Sequence, residues 1–188
     1  MDALFWAVCL VLVVAGASKL SAPTQVAGTL ASLGLARPAA PGRVRGTGTA
    51  RVVGAVEVAL GLGALAVGGP VLAVGVALAY LGFAVVVVLA RRRGLESCGC
   101  FGARSAPPSW VHVGVNVVSA AVAFVAAGLD GGPVPAADGL DELGGTGIVV
   151  AALVLLVAAL VVVLDTTVAD VVEATRALRD QERTAEAA

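Results

Sequence analysis

Cys98 and Cys100 stand one residue apart in the stretch Glu96–Ser105, "ESCGCFGARS", with Arg91, Arg92, Arg93 and Arg104 close by in the sequence. Nearby arginines favour the thiolate, the form of cysteine that attacks disulfides and binds soft metals, while Glu96 opposes that effect. A Cys-Gly-Cys disulfide closes a small ring, and the central glycine supplies the backbone freedom such a ring demands. Strain in that ring makes the bond easier to reduce, which suits an exchanging or sensing pair better than a permanent staple. Copper(I) or zinc needs more ligands than this loop offers. His112, twelve residues beyond Cys100, joins only if the loop folds back. Spacing alone leaves three readings: a redox pair, a soft-metal site, or a membrane-surface turn that carries sulfur.

Glu57 is the second candidate, because it interrupts an apolar, glycine-rich run. A carboxylate within a membrane span costs several kcal/mol unless it is paired, protonated or hydrated. Glu57 reads either as a functional site or as a glutamate bonding a neighbouring helix near the interface. Lys19 closes the preceding apolar run at the same end, so a Lys19–Glu57 pair is geometrically possible without deep burial of either charge. His112, Asn116 and Ser119 recur at i, i+4 and i+7 and form one polar stripe on an apolar helix. Such a stripe hydrogen-bonds neighbouring helices or lines a small polar pocket beneath the cysteine loop. Cys9 has only apolar neighbours and reads as a packing residue. Trp110 is placed as an interfacial anchor.

These residues need a scaffold, and composition points to the bilayer. The 188-residue chain is 59% hydrophobic and only 13% charged. That is too little polar surface for a soluble domain. Three cysteines exclude a secreted-type disulfide framework, and a single histidine excludes multi-histidine zinc and haem patterns. Five apolar segments emerge, at about 3–17, 52–67, 71–90, 110–129 and 148–164. Each compares with the roughly 20 residues that cross the hydrocarbon core. The first, second and fifth fall short and are expected to extend into flanking polar residues. The first lacks the basic lead-in of a signal peptide and reads as a retained helix. Gly68-Gly69-Pro70 predicts a tight turn with proline at a helix start. The loop 21–50 is expected to lie along the membrane or form a short helix, and the tail from Asp165 to extend the fifth helix as a solvated segment.

With five crossings, all twelve basic residues fall on one side, while the loop 130–147 on the other side holds four acids. The positive-inside rule then predicts a cell-membrane protein with its N-terminus outside, its C-terminus in the cytoplasm and its cysteines on the cytoplasmic face. The expected partner is the lipid bilayer. No nucleic-acid partner is expected, and the formal net charge of −1 carries little information beside the distribution of the charges along the chain.

Gly16-x-x-Lys19-Leu20 at the close of the first span, Glu57 in the second, and Cys98-Gly99-Cys100-Phe101-Gly102 after the third together resemble the MauE branch of the MauE/DoxX membrane proteins. The resemblance runs from about residue 15 to 127, and Asn116 matches a polar position early in the family's next helix. It implies an all-α, multipass transmembrane bundle: a four-helix MauE/DoxX-like membrane domain over 1–130. An acidic loop, a fifth helix and a charged tail then follow over 131–188. It further implies Cys98 and Cys100 as the thiol pair, with Glu57 and Lys19 as an intramembrane polar pair in a catalytic role.

The function implied is thiol–disulfide redox or maturation of an exported protein, with a link to methylamine metabolism, and the partner is a redox protein or a quinone-type carrier. No cofactor is specified and no metal is assigned. Cytoplasmic cysteines sit awkwardly with an exported substrate, which requires a carrier across the membrane, a more buried site or the opposite topology. Two other classes stand beside this reading: a non-enzymatic assembly scaffold, and a small-solute or metal carrier that uses Glu57 and the His112 stripe.

Overall fold

A computed structural model describes residues 1–36, 46–95 and 107–186, and these form seven helices with no strand among them. In chain order they are α1 (Asp2–Ser21), α2 (Pro23–Ser32), α3 (Thr47–Val67), α4 (Pro70–Arg92), α5 (Trp110–Gly128), α6 (Ala136–Glu142) and α7 (Gly145–Glu186). Five of them, α1, α3, α4, α5 and the first part of α7, are long and apolar enough to cross a membrane. At about 1.5 Å rise per residue, a helix of roughly 20 residues matches the ~30 Å hydrocarbon core. The short apolar segments do extend into polar flanks: α1 runs on through Ser21, α3 starts at Thr47, and α7 starts at Gly145.

The punctuation follows the residues. Gly68 and Gly69 both adopt positive φ, 67° and 83°. After them α4 opens on Pro70, whose missing N–H costs nothing at a helix start. The long first loop contains α2, which opens on Pro23. The tail is a direct continuation of α7, which spans 42 residues as one helix. The acidic loop holds a further short helix, α6, too brief to show periodicity in the sequence.

Within lipid, helices gain little from hydrophobic exclusion and associate through close packing and hydrogen bonds. The first span, α1, lies at the centre, against α3 on one side and α5 and α7 on another, while α4 pairs with α5. Small residues set the separations. A side chain at Gly16 would come within 2.7 Å of the Gly54 carbonyl oxygen, and one at Gly61 within 2.9 Å of the Cys9 carbonyl oxygen. Cys9 is fully buried in the main core with Phe5, Leu12, Val76 and Tyr80, as a packing role requires. Tyr80 donates its hydroxyl proton to the Val8 carbonyl at 2.7 Å. That bond satisfies the one polar atom of its side chain inside the bundle.

The two ends of the bundle differ in chemistry. At one end, the Trp6 indole N–H donates to the Val134 carbonyl and the Gly69 N–H to the Pro133 carbonyl, which fastens the acidic loop over α1 and the α3–α4 turn. At the other end stand Lys19, Arg51, Arg91, Arg92 and Arg93, the basic residues whose positions are described there. Arg91 lies over the ring of Trp110 at 5.2 Å, and Trp110 is exposed at the first position of α5.

Candidate functional site

The packing of α1 against α3 builds the most strongly polar contact inside the bundle. Side chains on an α-helix tilt toward its N-terminus. Because α1 and α3 run antiparallel, Lys19 leans back into the membrane while Glu57 leans toward the Lys19 end. The glycines at 16 and 54, each three residues before its partner in the pair, let the backbones approach closely enough for the two side chains to meet. Lys19 Nζ donates to Glu57 Oε2 at 2.8 Å and reaches back to the carbonyl of Ala15 at 3.4 Å. It also lies 5.1 Å from the ring centre of Phe83, within reach of a cation–π attraction.

The structure therefore brings Lys19 and Glu57 together, but not at a hydrated edge: they are 4% and 3% exposed. Pairing without burial of the charges, which the chain order allows, is not the arrangement adopted. Lys19 folds inward along its own helix instead of extending to water, because α3 presents a carboxylate on that side. One carboxylate oxygen is then fully engaged, and Glu57 Oε1 is buried without a hydrogen-bond partner among the described residues.

The polar stripe on α5 is a helix junction. Ser109 caps α5 by accepting from the His112 N–H, and the Ser109 N–H donates to His112 Nδ1 at 3.2 Å. This is a reciprocal capping box in which histidine takes the place of the usual Glu or Gln. With Nδ1 accepting, Nε2 carries the proton. It donates to the backbone carbonyl of Asp165 on α7 at 2.7 Å. Asn116 donates to the His112 carbonyl one turn back. Within the stripe it is His112 that bonds across to α7, while Asn116 bonds within α5 and Ser119 faces a groove between α1, α5 and α7.

Asp165 reads in the sequence as the first residue of a solvated tail, and the structure corrects this. It is 5% exposed, and its Oδ1 has no partner among the described residues. As the first charge after an uninterrupted apolar run, it gave a signal, but only the docking of α7 on α5 shows that it points inward.

Two grooves open on the sides of the bundle. One, about 360 Å³, lies between α1, α5 and α7 and is lined almost wholly by Val, Leu and Ala, with Ser119 as its polar member. The other, about 320 Å³, lies between α2, α3 and α4 and has Lys19, Thr29, Thr49 and Phe83 in its wall. Neither is lined by Glu57 or His112, so the convergence on one cavity that a solute carrier would need is not seen in these two grooves.

Cys98 and Cys100 lie outside the described residues, as do Arg37, Arg43, Arg45 and Arg104. Arg93, three residues before that segment, donates to the carbonyl of Ser32 at the end of α2.

A comparison with protein families decides the larger question: the description "Methylamine utilisation protein MauE" matches residues 1–129. The chain belongs to the MauE family. The match takes in all of α1, more than the 15–127 stretch on which the resemblance rested, and it includes Lys19, Glu57, Cys98 and Cys100. It ends before α6 and α7, so Asp165 belongs to a helix outside the matched region. No curated protein and no solved structure matches the chain.

Proposed function

We propose that this MauE-family membrane protein carries out thiol–disulfide exchange through Cys98 and Cys100, in the maturation of a partner protein. The observation that carries this reading is the Cys-Gly-Cys-Phe-Gly motif inside the family-matched region, in a chain whose matched helices also bury a Lys–Glu pair. Oxidation of the two thiols forms one S–S bond and releases two electrons and two protons. Glu57 is tethered by Lys19, and its second carboxylate oxygen is unengaged among the described residues. Such a carboxylate is suited to exchange protons within the membrane. By the positive-inside rule, the end that carries Lys19, Arg51 and Arg91–Arg93 faces the cytoplasm, and the thiols face it too. Equivalents for a protein on the far side then travel through a lipid-soluble carrier.

Thiol trapping tests the reading. Wild-type protein is poised with an oxidant or a dithiol reductant, quenched with a mass-tagged maleimide, and scored for modification of Cys98 and Cys100. Both are expected to be modified only after reduction. Equal labelling in the two states, or none in either, defeats the redox assignment.

A further inference from the structure

We infer that Asp165 is a proton-binding site inside the bundle, and that the proton it holds keeps α7 docked on α5. Asp165 belongs to a helix beyond the family-matched region, so this site stands or falls apart from the thiol reading.

Asp165 continues the face that α7 turns toward its neighbours. Val154 and Ala158 are buried, Val161 packs against the same core, and Asp165 completes an i, i+4, i+7, i+11 stripe. Such a stripe is the core-facing side of a helix. A carboxyl group therefore occupies a position where an apolar side chain would be at home. Its Oδ1 is buried with no hydrogen-bond partner among the described residues. A carboxylate in that setting is costly, and what relieves it is a counter-charge or a proton.

The groups around it supply no counter-charge. On α5, His112 takes a bond from the Ser109 N–H at Nδ1 and gives its Nε2 proton to the backbone carbonyl of Asp165. Both ring nitrogens are thus used in the neutral form, and neither turns to the carboxyl group. On α4, Tyr80 lies within electrostatic reach of Asp165, but its hydroxyl proton goes to the Val8 carbonyl. Cys9 on α1 and Glu57 on α3 act on the same tyrosine, and neither is a cation. Lys19 on α1 is bonded to Glu57. The acids of α6 sit against the start of α7, roughly 30 Å along the helix from Asp165. Asp2 opens α1 at that same far end, where Trp6 meets Val134.

A bound proton makes the carboxyl group neutral, so it can stay among apolar neighbours while its backbone carbonyl accepts from His112. Loss of the proton leaves a charge that must reach water. Asp165 is two residues from Thr167, where the apolar stretch of α7 ends. A small turn or tilt of α7 then carries the carboxylate to the interface and breaks the His112 bond. Docking is complete in acidic buffer and weakens as the pH rises.

The chain has a single histidine, so nitrogen-15 labelling of imidazole reports His112 alone. Full-length protein in lipid nanodiscs would be compared with Asp165→Asn, which cannot ionise, by the rate at which the His112 Nε2 proton exchanges with deuterated solvent. Equal rates are expected in acidic buffer. In alkaline buffer the wild type should exchange at least tenfold faster than Asp165→Asn. Rates that match at both pH values overturn the proton's role in docking, because any pH response then belongs to His112 itself.

A second measurement needs no variant. Dicyclohexylcarbodiimide attacks a protonated carboxyl group in apolar surroundings. The acid's proton passes to a reagent nitrogen, the carboxyl oxygen bonds to the central carbon, and the adduct rearranges to a stable N-acylurea. Peptide mapping by mass spectrometry should find it on Asp165 in acidic buffer and at least tenfold less in alkaline buffer. No adduct on Asp165 at any pH, or one indifferent to pH, overturns the proton site. The same labelling is expected in Cys98→Ser/Cys100→Ser, which separates this site from the fate of the thiol reading.

Discussion

Lys19 and Glu57 each lie where a lone charge is costly. Each is tolerable because the other is 2.8 Å away. Removing one partner leaves a buried charge uncompensated, a change that typically costs about 3–5 kcal/mol, whereas replacing both with apolar residues is close to neutral. Lys19→Met is therefore expected to destabilise the protein by about 3–5 kcal/mol. Lys19→Met/Glu57→Leu should recover most of that loss while failing in thiol exchange. Unfolding equilibria in mixed micelles measure the first effect and the trapping assay the second. Stability of the single variant within experimental error of wild type would show that the pair is not energetically coupled.

Helix contacts depend on residues that do nothing chemical themselves. At Gly16 and Gly54 an added Cβ would collide with the backbone of the facing helix, so no rotamer adjustment relieves it. Gly54→Val is expected to cost at least the ~1–3 kcal/mol typical of overpacking. It should also part Lys19 from Glu57, so that lost exchange activity accompanies lost stability. Gly63→Ala serves as the contrast, since a side chain there meets nothing within 4 Å. It gains the ~1 kcal/mol helix preference of alanine over glycine.

The α5–α7 junction separates two roles of His112 in the same way. His112→Gln keeps a side chain that can return to the Ser109 N–H as in an ordinary capping box. It loses the bond to the Asp165 carbonyl. Ser109→Ala loses the cap and is expected to cost about 1 kcal/mol. Disulfide trapping between cysteines placed on α5 and α7 should slow in His112→Gln but hold its rate in Ser109→Ala.

At the scale of the molecule the question is which end faces which compartment. The acidic loop is fastened over one end through Trp6 and Gly69, and the described basic residues near the ends of α1, α3 and α4 mark the other. A membrane-impermeant maleimide applied to right-side-out and inverted vesicles should label Cys98 and Cys100 only in the inverted ones. Labelling from outside would reverse the orientation and place the thiols directly against exported proteins. Cys9, fully buried in the core, should stay unlabelled from both sides until the protein is unfolded, which supplies an internal control.

Much of this protein was legible without coordinates. Apolar length is a local property, so the five spans, the Gly-Gly-Pro turn and the continuation of the last helix into the tail follow from residue order alone. The motif around Cys98 and Cys100, with Lys19 and Glu57 in order, was enough to raise the family that residues 1–129 match. Depth and facing were not legible, because a residue's neighbours across a bundle depend on how each helix is rotated and how closely it packs. Residue order puts Lys19 and Glu57 at the same end, but the glycine contact between α1 and α3 sinks both below the surface. Asp165 looks like the start of a solvated tail until the docking of α7 on His112 turns it inward. What is written along the chain is which segments enter the lipid. What the tertiary structure alone decided is which polar groups they take with them, since burial there is set by the partner helix and not by the residue.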